Sequence, residues 1–272
     1  MRLLSGSRWN RKLKNRNMND RVRWIALVCF FLCHVLMGWA QQPDCDSVCN
    51  VCTKPDRFQL KQLIIPSALI TVGSFGVENG WFNSVNHDVK DGFEDLRKDK
   101  RFRIDDYLQY LPVTANVTLA FLGAKSKHSF RERVAATATA YAAMGLMVNV
   151  TKVSVKERRP GSGARNSFPS GHTATAFMGA ELVREEYGMG YGLGAYAVAT
   201  SIAFLRMYNN RHWLNDVIGG AGVGILSARI GYWLLPWESR LFGWDKKKTA
   251  ISVTPSYQPE DKSLGMAVFV QF

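Results

Sequence analysis

Histidine and cysteine are the scarce residues here, five of each among 272, and their placement excludes several chemistries. The five histidines, His34, His87, His128, His172 and His212, stand singly along the chain. A two-metal hydrolase needs a second cluster of histidines and carboxylates, and none is present. No zinc-site spacing occurs, and no RNP-like motif or basic recognition helix, so nucleic acid is excluded as a partner. Serine hydrolase chemistry is excluded as well, because no Gly-x-Ser-x-Gly elbow surrounds Ser170. No internal repeat is found. Long apolar runs are also scarce: most stop short of the roughly 20 residues a membrane span needs, and the mean hydropathy is only −0.12.

Two of the cysteines, Cys29 and Cys33, lie in an apolar stretch behind a basic N-terminus, Trp24 to Trp39, followed by Gly38-Trp39-Ala40. That pattern is a secretory signal with cleavage after Ala40, the alternative being an uncleaved anchor. No small-residue lipoprotein site precedes Cys29, Cys33 or Cys45. The remaining cysteines, Cys45-x3-Cys49-x2-Cys52, have the spacing of a radical-SAM cluster triplet. An oxidising, exported setting and the lack of following βα units argue against a cluster and for one local disulfide plus a thiol. The expected organisation is a signal over 1–40, a flexible cysteine-containing tail over 41–58, a helical domain over 59–240 and a tail over 241–272.

What is abundant is positive charge. Lys and Arg number 35 against 22 Asp and Glu. Eight of the positive charges precede residue 41; without that stretch 27 face 21, a moderate basic excess that fits phosphate esters or lipid head groups. Apolar periodicity predicts helices near 60–77, 105–124, 131–151, 171–187, 190–207 and 212–234. A polar loop is expected over 83–104 and an irregular linker, rich in Arg, Gly, Pro and Ser, over 155–170. Alternation at Ile251, Val253 and Pro255, then at Leu264, Met266, Val268 and Val270, predicts a two-strand ribbon. The interrupted apolar runs favour a globular bundle with a membrane-facing side, with an integral bundle as the alternative.

Three stretches carry chemistry. Lys152-VSVKER-Arg159-Pro160 offers a compact charge and a planar fork of donors for phosphate oxygens. Phe168-Pro169-Ser170-Gly171-His172 reads as a helix start, with Ser170 as N-cap, Gly171 permitting close backbone approach, free N–H groups aimed at an anion, and His172 in the first turn as a proton donor. Arg206-MYNNR-His212-WLN-Asp216 places an acid four residues from an imidazole. On a helix the two share a face, the acid fixing the tautomer and leaving the other ring nitrogen as nucleophile or base. A metal half-site is the other use of such a pair.

Taken together, these stretches resemble the three-part signature of the PAP2 superfamily, KxxxxxxRP, PSGH and SRxxxxxHxxxD. Lys152, Arg159, Pro160, Pro169, Ser170, Gly171, His172, Arg206, His212 and Asp216 match; Leu205 stands where the family usually has Ser, removing a supporting phosphate contact. The resemblance implies an all-α, six-helix bundle of the acid phosphatase–haloperoxidase type, here with a small C-terminal β-ribbon. It implies a metal-independent, cofactor-free phosphatase. His212 would attack phosphorus to give a phosphohistidine, Asp216 would orient it, and His172 would protonate the leaving alcohol and later activate water. Lys152, Arg159, Ser170, Gly171 and Arg206 would hold the phosphoryl oxygens.

Asp106-YLQYL-Pro112 and Arg206-Met207-Tyr208-Asn209 are similar to envelope phosphatases of Bacteroidetes-type bacteria, some of which remove the 4′- or 1-phosphate of lipid A. A phospholipid or lipid A at the periplasmic membrane surface is therefore the expected substrate. The alternatives are a soluble broad-specificity acid phosphatase, an undecaprenyl pyrophosphate or phosphatidylglycerol phosphate phosphatase, a vanadate-dependent haloperoxidase, and a non-catalytic binder of phosphate head groups.

Overall fold

The computed structural model describes residues 58–97, 101–244, 250–258 and 263–271. The signal over 1–40 and Cys45, Cys49 and Cys52 lie outside the described residues. Eight helical segments follow one another: α1 (Lys61–Glu78), α2 (Gly80–Arg97), α3 (Asp105–Leu108), α4 (Leu111–Thr118), α5 (Phe130–Val155), α6 (Gly171–Tyr187), α7 (Met189–Tyr208) and α8 (Leu214–Leu241). Two strands, β1 (Ala250–Gln258) and β2 (Ser263–Gln271), pair antiparallel with Ala250 opposite Gln271 and Gln258 opposite Ser263. The described bundle is thus all-helical up to Leu241.

Eight segments stand where six were expected, for two reasons. The polar stretch after residue 83 is not a loop: α2 occupies it. Asn79 starts that helix, its side-chain oxygen accepting from the N–H groups of Trp81 at 3.0 Å and Phe82 at 3.3 Å. Phe82, Val85, Asn86, Val89, Lys90, Phe93, Glu94 and Arg97 form its inward stripe at helical spacing. Phe82, Val85, Val89, Phe93 and Leu96 recur at helical spacing, and it is the many charged and polar residues between them that gave the stretch the look of a loop. The other reason is Pro112, which sits in the first turn of α4 and divides the expected 105–124 helix in two.

Helix α5 begins with a capping box. The Ser129 hydroxyl accepts from the Glu132 N–H, and the Glu132 carboxylate accepts from the Ser129 N–H at 2.8 Å. The helix ends at Lys156 in the left-handed region, φ 54°, which turns the chain into the irregular linker.

Helix α8 is the centre of the bundle, packing against α1, α5 and α6. Its glycines permit this, one face at a time. A Cβ at Gly222 would stand 2.8 Å from the Pro66 carbonyl oxygen of α1, and one at Gly220 would stand 2.6 Å from the Ser170 carbonyl at the head of α6. A Cβ at Gly224 would strike the Ala174 carbonyl of α6, and one at Gly231 the Ala136 carbonyl of α5. Small residues on the partners, Ala136, Ala140 and Ala174, complete the close approach, with Met178, Leu182 and Tyr232 filling the space between.

Among the described residues α5 and α8, of 26 and 28 residues, are long and apolar enough to cross a membrane, and α1 with α2 forms a pair bent by 91°. Both long helices run past the apolar stretches expected from sequence, because Arg131, Lys152 and Arg240 sit near their ends. The outer faces of α1 and α5 expose Ile64, Ile65, Phe75, Leu146, Val150 and Val153. Such a surface suits lipid and favours the integral form of the bundle over the globular one.

Substitution at the glycine contacts should be asymmetric. Gly224→Val is expected to lower stability by about 1–3 kcal/mol through overpacking. Gly145→Ala, where a Cβ meets nothing within 4 Å, should raise it by about 0.5–1 kcal/mol. Denaturant midpoints of the detergent-solubilised proteins check both signs.

Candidate active site

The C-termini of α5 and α7 and the N-termini of α6 and α8 meet at one end of the bundle, and each motif residue lies on one of them or on the linkers between. Two helix N-termini at one place present a positive field and free N–H groups to an anion.

His212 and Asp216 are joined, but not as neighbours on a helical face. α8 starts at Leu214, so His212 lies before it. The Asp216 carboxylate folds back over the helix start, where Oδ2 accepts from the Trp213 N–H at 2.8 Å, the Ser167 hydroxyl at 2.5 Å and His212 Nδ1 at 3.3 Å. The expected spacing therefore works through N-terminal capping. Because a carboxylate only accepts, Nδ1 carries the ring proton and Nε2 keeps its lone pair. Burial pushes the imidazole down to about 4, against the opposing pull of Asp216 and with the help of Arg206 and Arg159. At neutral pH the ring is uncharged and nucleophilic.

Three cations stand within electrostatic reach of one another and of Asp216: Lys152, Arg159 and Arg206. Asn166 steadies two of them, its backbone carbonyl accepting from Lys152 Nζ at 2.6 Å and its side-chain oxygen from Arg159 Nε at 2.8 Å. Arg206 is buried and donates through Nη1 to Asp105 at 2.6 Å and to Asp106 at 3.3 Å. Its Nε has no hydrogen-bond partner among the described residues. Burial, then the charge of Arg206, lowers Arg159. Like charges gathered around one point are relieved by an anion placed between them.

Ser170 caps α6 as expected, and it is fully buried: its hydroxyl oxygen accepts from Thr173 Oγ1 at 3.0 Å, and its N–H donates to the Asp216 carbonyl at 3.0 Å. Gly171 leaves open space at the helix start, since a Cβ there would meet nothing closer than Val148 at 3.9 Å. His172 is half-buried and pairs through Nε2 with Asp106 Oδ1 at 3.0 Å. Burial, then Arg206, lowers its affinity for a proton, with Asp106 opposing. Leu205, half-buried beside Arg206, provides no hydroxyl.

Several functional partners escaped the sequence reading. Asp105 and Asp106 hold Arg206 and His172, and Asn209 ties Asp105 Oδ1 at 3.1 Å to the Phe102 carbonyl at 2.6 Å. Their signal was the acidic start of the 106–112 stretch, which marked a resemblance without a role. Ser167 and Asn166, just ahead of Phe168-Pro169, had no signal beyond their place in a Ser- and Gly-rich linker.

Comparison with known proteins locates this end of the molecule in a family. Residues 133–240 match the PAP2 superfamily. Over 136 residues the chain is 42% identical to the lipid A 1-phosphatase of Porphyromonas gingivalis, covering 48% of this chain and 31% of that protein. The chain thus spans about a third of the length of that curated relative. Crystal structures with similarity are LpxE of Aquifex aeolicus, with a TM-score of 0.40 and 22% identity over 51% of this chain and 91% of that one, and the transmembrane PAP2 type phosphatidylglycerolphosphate phosphatase of Bacillus subtilis, with a TM-score of 0.45 and 15% identity over 68% and 99%. Lys152, Arg159, Ser170, Gly171, His172, Arg206, His212 and Asp216 all fall inside the segment, residues 133–240, that matches the PAP2 superfamily.

Proposed function

We propose that the protein is a membrane-embedded phosphatase that removes a phosphate from a lipid, lipid A first among the candidates and its 1-phosphate first among the positions. The observation that carries this reading is the buried, neutral His212 held by Asp216 beside three mutually repelling cations. The named activity of the Porphyromonas gingivalis relative supports the choice of lipid A and of the 1-position. The expected signal over 1–40, with the site on the periplasmic side, completes the proposal, together with a helical catalytic domain over 59–240 and the ribbon within 241–272 as an accessory.

In this mechanism the phosphate enters between Lys152, Arg159 and Arg206, with the N-terminal N–H groups of α6 at Gly171 completing the cradle. Arg206 exchanges part of its bond to the half-exposed Asp106 for a phosphate oxygen, while the buried Asp105 keeps hold of it. His212 Nε2 attacks phosphorus in line as the P–O bond to the lipid breaks. The departing oxygen takes a proton from His172. Asp216 stabilises the charge that develops on the His212 ring. Neutral His172 then removes a proton from water, which attacks phosphorus, frees phosphate and restores His212.

The test is phosphate release from lipid A by the detergent-solubilised full chain in the presence of EDTA, beside phosphatidic acid, undecaprenyl pyrophosphate and p-nitrophenyl phosphate. The lipid should be preferred, and His212→Ala should lose at least about 10³-fold in kcat. Equal activity of parent and variant would overturn the nucleophile. Preference for the soluble ester would favour a broad acid phosphatase, and silence from a folded parent would favour a head-group binder.

The acid role of His172 has its own signature. His172→Ala should cost much less with p-nitrophenyl phosphate, whose leaving group needs no proton, than with an alkyl phosphate, where about 10²–10⁴-fold is expected. For an alkyl phosphate, kcat/KM should rise as His212 loses its proton near pH 4. It should fall as His172, lowered from 6.5, loses its own. The optimum of the free enzyme therefore lies on the acid side of 6.5, which a pH profile of kcat/KM measures.

A further inference from the structure

Glu157, in the linker after α5, is an ionisable group at the site with no part in the mechanism above. Both of its carboxyl oxygens lie within bonding distance of Asn215 Nδ2, at 3.1 and 3.2 Å. Asn215 is fully buried and is itself held by Asn86 of α2, whose Nδ2 donates to Asn215 Oδ1 at 3.0 Å and whose Oδ1 accepts from the Asn215 N–H at 3.3 Å. The Glu157 backbone carbonyl accepts from the N–H of Ser167 at 3.0 Å, the residue whose hydroxyl donates to Asp216. Asn215 adjoins Asp216 in the chain, so the Glu157 carboxyl stands beside that of Asp216 and the two interact electrostatically.

The unused oxygen of Asp216 gives this contact its meaning. Oδ2 accepts three bonds, whereas Oδ1 is buried and receives none from any N–H or hydroxyl among the described residues. A buried carboxylate oxygen left bare is costly. Two adjacent carboxyls away from water resist being ionised together, and a proton held between them would answer the bare oxygen. We infer that Glu157, in its acid form, donates that proton to Asp216 Oδ1 and is a positioning residue for the His212–Asp216 pair. This rests on the phosphatase reading given above.

The consequence is a fully coordinated Asp216: four donors, Glu157, Ser167, Trp213 and His212, fix both oxygens and the plane of the carboxylate. The His212 ring is thereby aimed by a group that cannot swing. Burial first, then the negative charge of Asp216, pushes the Glu157 carboxyl up to about 8, so the proton stays in place at neutral pH. As pH rises past that value Glu157 ionises, the donation is lost and two carboxylates repel behind the nucleophile. The groups meeting the Glu157 carboxyl are Asp216 and Asn215 of α8, with Asn86 of α2 behind; Asp216 is the charged one of the three. Lys152 and Arg159, whose charges reach Asp216, are common to parent and variants and shift both profiles alike.

The test uses the detergent-solubilised full chain with Glu157→Gln and Glu157→Leu. Gln keeps a carbonyl for Asn215 and an N–H for Asp216 without a titrating proton. With p-nitrophenyl phosphate, Glu157→Leu should lower kcat by about tenfold to a hundredfold with KM within about threefold, and Glu157→Gln should recover most of that loss. The rate of the parent relative to Glu157→Gln should fall above about pH 8, a difference that a merely structural residue would not produce. An infrared carbonyl band of a protonated carboxyl should be present at neutral pH in the parent and absent in Glu157→Gln. Unchanged kcat in Glu157→Leu, parallel pH profiles of parent and Gln variant, or no such band would each overturn the inference. A band in a parent that releases no phosphate from any substrate would uphold the shared proton while overturning the phosphatase reading itself.

Discussion

A buried carboxylate at the head of the central helix is the constraint on which the rest of this structure depends. Asp216 is fully inaccessible, and an ion there is tolerable only if its oxygens are met by donors and its charge by a favourable field. The start of α8 offers both: the Trp213 N–H just ahead of the helix donates to it, and the helix dipole places its positive end there. The chain is then arranged to bring in the remaining partners. Ser167 comes from the linker ahead of α6, His212 from the turn after α7, and the Ser170 N–H ties the α6 start to the Asp216 carbonyl. One residue thus fastens the linker and start of α6, and the turn after α7, to the head of α8.

That arrangement dictates the packing below it. For the heads of α6 and α8 to sit side by side, the helices must approach with almost no side chain between them, and Gly220 and Gly224 face the carbonyls of Ser170 and Ala174 for that reason. Where α8 meets α1, Gly222 does the same against Pro66. The glycines are costly to an isolated helix. Here close backbone contact replaces that loss and keeps the polar end of the bundle at fixed distances. Rigidity at the site is therefore a property of the apolar middle of the bundle.

The parts legible in sequence are those whose chemistry is local. Ser170 as a helix cap needs only its own next turn, and the three basic motif residues announce themselves by type and spacing. The partners of those residues are not local. Asp106 reaches His172 across 66 positions, Asp105 reaches Arg206 across 101, and Asn86 reaches Asn215 across 129, so nothing in a window of sequence marks them. The α2 helix carries a legible period in Phe82, Val85, Val89 and Phe93, but its polar composition made it read as a loop. Its inward stripe includes Asn86, Glu94 and Arg97, which face polar groups of the catalytic end: Asn215, Asn210 and the Tyr208 carbonyl. His212 and Asp216 were legible as a pair though not as a geometry, because a spacing of four fits both a helical face and a capping turn.

The charge balance at this end follows from its surroundings. Lys152, Arg159 and Arg206 would repel strongly in a low-dielectric setting, yet the site holds Asp105, Asp106 and Asp216 beside them. With no substrate, the acids answer the cations, and His172 and Arg206 are both engaged by Asp106. A phosphate brings charge and acceptor oxygens of its own, and Asp106, the exposed one of the acids, is the partner that can yield without leaving an ion stranded in the interior. Asp105 and Asp216 cannot, since each is buried and bonded on several sides. In the proposed mechanism the division of labour among the three acids therefore follows from burial: two are fixed parts of the scaffold, and the third would exchange with substrate.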